Sequence, residues 1–179
     1  MGLSLTEEKN YCFTYHLHLD TDTLRCPSGL RLCKLGKAGV RRLLEESKFD
    51  KNFPLEPMLR FNQKVPSVGV FLDNSTKEDT LVALENILPA GDEDIPISLI
   101  ASAKNGALGM LRTEESYKKQ GLGTLVTRAA ARLQANQGYF PLANVELDNK
   151  ASRAMFTKMP EFINTHIVSW MFQDIGDTY

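Results

Sequence analysis

A glycine-containing turn followed by a long amphipathic helix is the feature that most constrains the fold of this chain. The turn, Gly121-Leu122-Gly123, joins a strand-like run to a run whose apolar residues recur every three or four positions. Those apolar positions are Leu122, Leu125, Val126, Ala129, Ala130 and Leu133. Gly138 follows, and glycine is the usual residue just after a helix end. A helix N-terminus after such a turn predicts an anion site, because its first N–H groups have no partner inside the helix.

The known phosphate-binding loops do not fit this turn. The chain has no Gly-x4-Gly-Lys-Ser/Thr run, and the third glycine of a dinucleotide-binding fingerprint is replaced by Val126. Residues 106–113, Gly-Ala-Leu-Gly-Met-Leu-Arg-Thr, precede the turn and are typical of a buried strand interrupted by glycine. From the loop alone, an ordinary strand-to-helix turn is the alternative.

Composition limits the class of protein. A chain of 179 residues suits one domain with a sizeable core, and its net charge of −1 gives no electrostatic case for a nucleic-acid partner. No apolar run approaches the length of a membrane span, and no secretory segment stands near the start. The spacing of the three cysteines and three histidines does not predict a metal site. We expect an intracellular, cytoplasmic protein, and a mitochondrial location stays open.

Two wider stretches resemble the acyl-CoA site of the Gcn5-related N-acetyltransferase (GNAT) superfamily. Residues 106–123 resemble its fourth strand and its [Arg/Gln]-x-x-Gly-x-[Gly/Ala] loop, and residues 145–159 resemble its fifth strand, an Asn and a short helix. Residues 66–71, Pro-Ser-Val-Gly-Val-Phe, taken with the glycine-bearing strand, are closer still to the glycine N-acyltransferase-like, FR47-type branch. The resemblance covers residues 27–172 and is most specific over residues 97–158.

The resemblance implies an α/β (α+β) fold with a mixed, mostly antiparallel central sheet, helices on both faces and a V-shaped splay between strands 4 and 5. We expect an N-terminal lead-in over residues 1–26 and an acyl-CoA-binding domain over residues 27–179. Strands are predicted at 67–72, 97–103, 140–147 and 166–172, and helices at 38–47, 54–63 and 151–159. A capping-box pattern at residues 75–78 predicts one or two helical turns within an insertion at residues 73–95.

The resemblance also implies how acyl-CoA is held. The backbone N–H groups of residues 119–124 would bind the pyrophosphate, and the backbone of residues 111–113 would pair with the pantetheine as an added strand. Lys118 stands where the family has Arg or Gln and, like Lys119, would add positive charge, although both lysines also suit a solvated turn. The predicted acyl-CoA-binding residues are Leu111, Arg112, Thr113, Lys118, Lys119, Gln120, Gly121, Leu122, Gly123, Thr124 and Asn149. Asn149 is equally well explained as a helix cap.

The catalytic groups depart from the family pattern. Where the family has a Glu this chain has Ala107, and where many members have a Tyr acid it has Phe156. Glu146 on the fifth strand is the best replacement base, and a solvent-facing carboxylate is its alternative role. A backbone N–H near Arg112 is the expected donor to the thioester carbonyl. The segment Met159-Pro160-Glu161-Phe162 also contains one residue more than the family's Gly-Phe turn.

These features predict an N-acyltransferase that moves a small acyl group from acetyl-CoA or another acyl-CoA to a primary amine of a small molecule or amino acid. The partners predicted are therefore acyl-CoA and a small amine acceptor, with no metal, no nucleic acid and no membrane span. Because Ala107 and Phe156 replace the usual catalytic groups, a non-catalytic acyl-CoA-binding or regulatory domain is the alternative. Nothing in the sequence names the acyl chain, the amine or the oligomeric state.

Overall fold

The computed structural model of the chain describes residues 10–17, 24–46, 53–103 and 105–170. Strands and helices alternate irregularly along these residues. The strands are β1 (Asn10–Leu17), β2 (Leu24–Cys26), β3 (Leu30–Lys34), β4 (Val68–Leu72), β5 (Thr80–Val82), β6 (Ser98–Ser102), β7 (Leu108–Thr113), β8 (Leu142–Glu146) and β9 (Phe162–Trp170). The helices are α1 (Lys37–Glu46), α2 (Leu55–Lys64), α3 (Leu122–Asn136) and α4 (Lys150–Thr157).

A seven-stranded sheet organises these elements in the order β3-β4-β6-β7-β8-β1-β9. Every neighbouring pair is antiparallel except β7 and β8, which run parallel. Strands β7 and β8 pair at Leu108 and Ala143 only, so they diverge beyond that point. Helices cover both faces of the sheet. The predicted fold class, a mixed and mostly antiparallel sheet flanked by helices, is confirmed.

The two faces of the sheet carry two apolar cores. Side chains alternate across a strand, so Val70 of β4 packs into one core with α3 and α4, while Phe71 packs into the other with α1 and α2. Residues Ala129, Ala130 and Ala131 of α3 are completely buried. Burial of the predicted apolar stripe therefore fixes α3, and with it the turn at its N-terminus, against the centre of the sheet.

Strand β1 lies inside the sheet, between β8 and β9. Its residues 12–16 pair with β8, and the whole strand pairs with β9 across one β-bulge. Cys12 and Thr14 face one side and are buried, whereas Tyr15 packs into the core under α4. Residues of the predicted lead-in thus pair with strands of the predicted acyl-CoA-binding domain. The division into residues 1–26 and 27–179 stays a prediction.

The insertion at residues 73–95 differs from its predicted form. The capping pattern at residues 75–78 does not open a helix, because the Asp73 carboxylate accepts hydrogen bonds from Ser75 and Thr76 and closes a turn instead. Strand β5 then pairs with β2 in a separate two-stranded sheet. A single 3₁₀ turn, Leu84–Asn86, is the helical part of this insertion.

Candidate functional site

A cleft of about 270 Å³ opens where β7 and β8 diverge. Its walls are β7 on one side and β8 on the other, with Cys12 of β1 and the first turns of α4 completing it. Four of the residues predicted from sequence line this cleft: Leu111, Arg112, Glu146 and Asn149. The parallel pair that spreads apart is the predicted splay between the fourth and fifth strands of the resemblance.

The backbone of β7 is irregular inside the cleft. The register between β6 and β7 shifts between Leu99 and Ala101, and Met110 has a φ of +52°, which is uncommon for a residue with a side chain. Arg112, near which the carbonyl donor was expected, pairs in register with Leu99. The irregularity therefore lies two positions earlier, at Met110. Beyond Leu108 no ladder pair joins β7 to β8 within the described residues, so this edge of β7 is open to an extended ligand.

The loop at residues 118–124 carries a row of backbone N–H groups that precedes the first hydrogen bonds of α3. Lys119 has a φ of +61° and Gly121, the residue before α3, a φ of +82°. Within the described part of the chain, the N–H groups of residues 119–124 donate to no backbone or side-chain acceptor, and the helix hydrogen bonds begin with the Leu125 N–H to the Gly121 carbonyl. Such a row at a helix N-terminus is suited to bind an anion.

This loop is continuous with the cleft. A Cβ on Gly123 would lie 3.4 Å from the Met155 sulfur, 3.7 Å from Thr113 Oγ1 and 3.8 Å from a Leu111 methyl. Leu111 also lines the cleft. The N-terminus of α3 therefore contacts the end of β7 directly, and a single elongated ligand can occupy the N–H row and the open strand edge together.

Lysine side chains add positive charge at the loop, but one of them is already engaged. The Lys118 ammonium lies 2.6 Å from Glu115 Oε2. This hydrogen bond, with the charges of Lys118 and Lys119, holds the pKa of Glu115 below its usual range. Glu115 is 88% exposed, so an anionic ligand can compete with it for Lys118 at small cost.

Glu146 and Asn149 meet at the start of α4. The Asn149 N–H donates to the Glu146 carbonyl at 3.0 Å, and Asn149 Oδ1 accepts from the Ser152 N–H at 3.1 Å. The prediction that Asn149 caps this helix is confirmed. Its role toward a ligand stays a prediction, and so does the role of Glu146 as a base.

Two positions where the resemblance implied a catalytic group carry no titratable side chain. Phe156 is 3% exposed, stacks on Tyr15 with ring centroids 4.7 Å apart and contacts Phe162 edge-on at 5.1 Å. Ala107, just before β7, is buried. Neither residue can donate or accept a proton, so the proton transfers of any reaction here would fall to other groups.

An ion-pair network at the mouth of the cleft was not predicted. Arg112 donates to the Glu46 carbonyl at 3.0 Å, and Arg42 lies 2.8 Å from carboxylate oxygens of both Glu46 and Glu114. These contacts fix the end of α1 beside the end of β7. Sequence periodicity identifies the helix and the strand but not which of their charged residues meet, so no signal in the sequence pointed to the network.

Strand β1 contributes a second unpredicted group. Thr14 Oγ1 donates to Asn144 Oδ1 at 3.1 Å, and Thr14 is buried. Asn144 also lines the cleft, opposite β7. A strand that the sequence places far from the glycine loop therefore helps to shape the wall of the site.

The fold is shared with solved structures of GNAT proteins, and residues 97–170 match the family model of FR47-like proteins. A Drosophila protein of known structure is similar with a TM-score of 0.70 and 16% identity over 93% of this chain and 52% of its own. A putative acetyltransferase of the GNAT family from Novosphingobium aromaticivorans gives a TM-score of 0.61 and 13% identity over 95% and 66% of the two chains. No curated protein matches the sequence.

A tandem GNAT protein from the clavulanic acid biosynthesis pathway, described as a structure without AcCoA, gives a TM-score of 0.56 and 12% identity. That match covers 93% of this chain and 53% of the tandem protein. The chain thus spans between about half and two thirds of the length of these solved chains.

The architecture defines a protein with the GNAT fold. The family model of FR47-like proteins matches residues 97–170 within it, and this is the branch that the resemblance predicted. No helix in the described ranges is both long and apolar enough to cross a membrane. Among the same residues, no group of three or more His, Cys, Asp or Glu is arranged to hold a metal ion.

Proposed function

We propose that the chain is an acyl-CoA-dependent N-acyltransferase of the glycine N-acyltransferase-like type. It would move a small acyl group from acetyl-CoA or another acyl-CoA to a primary amine of a small molecule or amino acid. The observation that carries the proposal is the continuity of the open β7 edge with the N–H row of residues 119–124. An open strand edge that continues into an anion site suits a ligand whose amide-bearing arm pairs with the strand and whose diphosphate binds at the anion site.

The two parts of this surface would divide the work of binding. The pantetheine amides would exchange hydrogen bonds with β7 as an added strand, and the diphosphate would accept hydrogen bonds from the loop. The thioester would then lie beside the irregular backbone at Met110 and Leu111. A backbone N–H there could donate to the carbonyl oxygen as negative charge develops, an effect worth on the order of 3 kcal/mol for one donor.

Proton transfer would involve the cleft wall formed by β8. The amine nitrogen forms a bond to the thioester carbon, the carbon–sulfur bond breaks, and the amine loses a proton. Glu146 lines the cleft and could accept that proton directly or through one water. Holding both substrates in one cleft would supply much of the rate even with a weak base.

The alternative function is an acyl-CoA binder or regulator without turnover. Ala107 and Phe156 favour it, because the two groups that the family commonly uses are absent. The binding surface is the same in both cases. For either function we infer an intracellular site of action, cytoplasmic or mitochondrial, where acyl-CoA is available.

A thermal-shift titration tests the binding step. Acetyl-CoA, longer acyl-CoAs and free CoA should each raise the melting temperature with concentration, because they bind only the folded state. Absence of a shift at millimolar ligand would contradict both functions.

Release of free CoA thiol in the presence of a panel of small amines then separates enzyme from binder. We expect amine-dependent thiol release, reduced at least tenfold in Glu146→Gln while acetyl-CoA still binds. Glu93→Gln, an exposed carboxylate in a loop, is the control. Binding without thiol release would leave the binder as the function.

A further inference from the structure

The proposed transfer leaves a negative charge on the sulfur of CoA, and the wall of α4 has no tyrosine to meet it. Phe156 fills that position with an apolar ring packed between Tyr15 and Phe162. The Tyr15 hydroxyl does not replace it, because Tyr15 lines a separate groove beside α4 that also includes Asn164 of β9. The leaving sulfur therefore needs another donor in the cleft.

Ser152 lies one helical turn before Phe156, and residues four apart share one face of a helix. Both residues line the cleft. Among the described residues that form its walls, Ser152 is the one that carries a hydroxyl group. Ser152 is also half-buried, so a ligand bound in the cleft can contact its side chain.

The contacts around Ser152 fix its backbone and leave its hydroxyl available. Its N–H donates to Asn149 Oδ1 at 3.1 Å, which holds the first turn of α4 in place. Across the part of the chain that is described, the Ser152 hydroxyl makes no hydrogen bond. The N-terminal turn of a helix also favours negative charge nearby, so the position suits a thiolate.

Other polar groups also line the cleft and make hydrogen bonds within the protein, while the amide NH2 groups of Asn144 and Asn149 and the Cys12 thiol are the further side-chain donors there. Arg112 donates to the Glu46 carbonyl at the mouth of the cleft, and Asn149 Oδ1 already accepts from the N–H of Ser152. Asn144 accepts from Thr14 on the β8 wall. Glu146 is an acceptor when ionised and would repel a thiolate.

We propose that the Ser152 hydroxyl is a catalytic group that donates a hydrogen bond to the sulfur of CoA as the carbon–sulfur bond breaks. The inference rests on the proposed acyl-CoA function. The sulfur keeps the electron pair of the broken bond, and the hydroxyl stabilises the resulting thiolate. The thiolate then takes up a proton from solvent, and the proton that the amine lost to Glu146 returns to solvent, so the protons balance. Ser152 keeps its own proton, because a serine hydroxyl is too weak an acid to give it up.

The test is the ionisation of free CoA bound to the protein, followed by the ultraviolet absorbance of the thiolate as pH rises. The wild-type protein should lower the pKa of the bound thiol, and Ser152→Ala should bring it back toward that of free CoA. In turnover, Ser152→Ala should lower kcat about ten- to hundredfold with little change in KM, since the hydrogen bond acts on charge formed in the reaction. Ser152→Thr keeps a hydroxyl and should retain most of both effects.

The outcomes separate this inference from the proposed function. If CoA fails to bind the wild-type protein, the acyl-CoA function and this role fall together. If CoA binds but Ser152→Ala changes neither the thiol pKa nor kcat, only the role of Ser152 is overturned. Ser169→Ala on β9, an exposed serine outside the cleft, is the matched control and should change neither quantity. Alanine favours a helix, so Ser152→Ala should fold.

Discussion

At the scale of single residues, two glycines of the same helix provide a matched test of the anion site. Gly121 before α3 and Gly138 after it have φ angles of +82° and +83°, and a Cβ on either would meet no atom within 4 Å. A side chain in this conformation costs about 1–2 kcal/mol of stability at either position. Gly121→Glu, however, also adds a carboxylate beside the row of N–H groups. We expect isothermal titration to show CoA affinity at least tenfold weaker in Gly121→Glu than in Gly138→Glu, although both variants lose similar stability.

Equal CoA affinity in these two variants would contradict the placement of the diphosphate at this loop. The comparison removes backbone strain as an explanation, since the two glycines share their φ and their open surroundings. It also removes general loss of stability, which melting curves of the two proteins would check directly.

The residue scale also shows where sequence reasoning succeeds and where it stops. The C-terminal glycine of α3 and the cap at Asn149 were predicted correctly, because each depends on a few neighbouring residues. Met110 could not be predicted, since its positive φ results from the register shift between β6 and β7. A methionine has no intrinsic preference for this conformation, so only the pairing of distant strands reveals it.

At the scale of elements, one ion pair connects α3 to the turn between α4 and β9. Glu161 in that turn is 10% exposed and accepts two hydrogen bonds from Arg128, one of them at 3.2 Å. Burial is the largest single effect and opposes ionisation of Glu161. The hydrogen bond from Arg128, a backbone hydrogen bond and the charges of Arg128 and Arg132 together outweigh it and hold the pKa of Glu161 below its usual range. The ionised pair should therefore stabilise the packing of α3 against this turn.

This depressed pKa predicts a pH-dependent loss of stability. A carboxylate whose pKa is lower in the folded state contributes stability above its unfolded pKa near 4.5, and that contribution disappears as pH falls through the folded value. We expect Glu161→Gln to cost about 1.5–3 kcal/mol at neutral pH, as for other hydrogen bonds to charged groups. The difference from wild type in urea unfolding should shrink as the pH falls below 4.5.

Glu115→Gln is the control for this experiment, because the Glu115–Lys118 pair is solvent-exposed and should contribute no measurable stability. A cost of Glu161→Gln that stays constant down to low pH would mean that the side chain acts through its shape and not through its charge.

The elements themselves were predicted best where one periodicity dominates. The stripe of α3 has no competing pattern, so its position followed from the sequence. In the insertion, Leu81 and Leu88 mimic a helical stripe, yet they are 66% and 73% exposed. Pairing of β5 with β2 overrides that weak local pattern. The paired residues lie about 55 positions apart in the sequence, so the pattern of neighbouring residues cannot predict the pairing.

At the scale of the whole molecule, the position of β1 decides whether the cleft is complete. The family model matches residues 97–170, but Cys12 and Thr14 of β1 reach the cleft wall from far outside that range. Strand β1 is also the link between β8 and β9, since those two strands pair with β1 and not with each other. The site should therefore persist only while β1 stays paired.

Thiol labelling can measure the free energy with which β1 separates from the sheet. Cys12 in β1 is 4% exposed and Cys33 in β3 is 8% exposed, so each must open before a thiol reagent reacts. The third thiol, Cys26, should be removed in both proteins, although burial already raises its pKa to about 11 and slows its reaction. Variants that keep only Cys12 or only Cys33 would then report the opening free energy of β1 and of the opposite end of the sheet.

We expect the opening free energy at Cys12 to equal the global free energy of unfolding measured in urea, as it should at Cys33. Equality would mean that β1 unfolds only with the rest of the sheet, because its loss leaves β9 without a partner and leaves β8 with its single pair to β7. A value at Cys12 several kcal/mol below the global one would instead mean that β1 separates on its own. In that case the wall of the cleft would open with it, and the ligand should raise the opening free energy at Cys12 by RT ln(1 + L/Kd), which grows with the ligand concentration L.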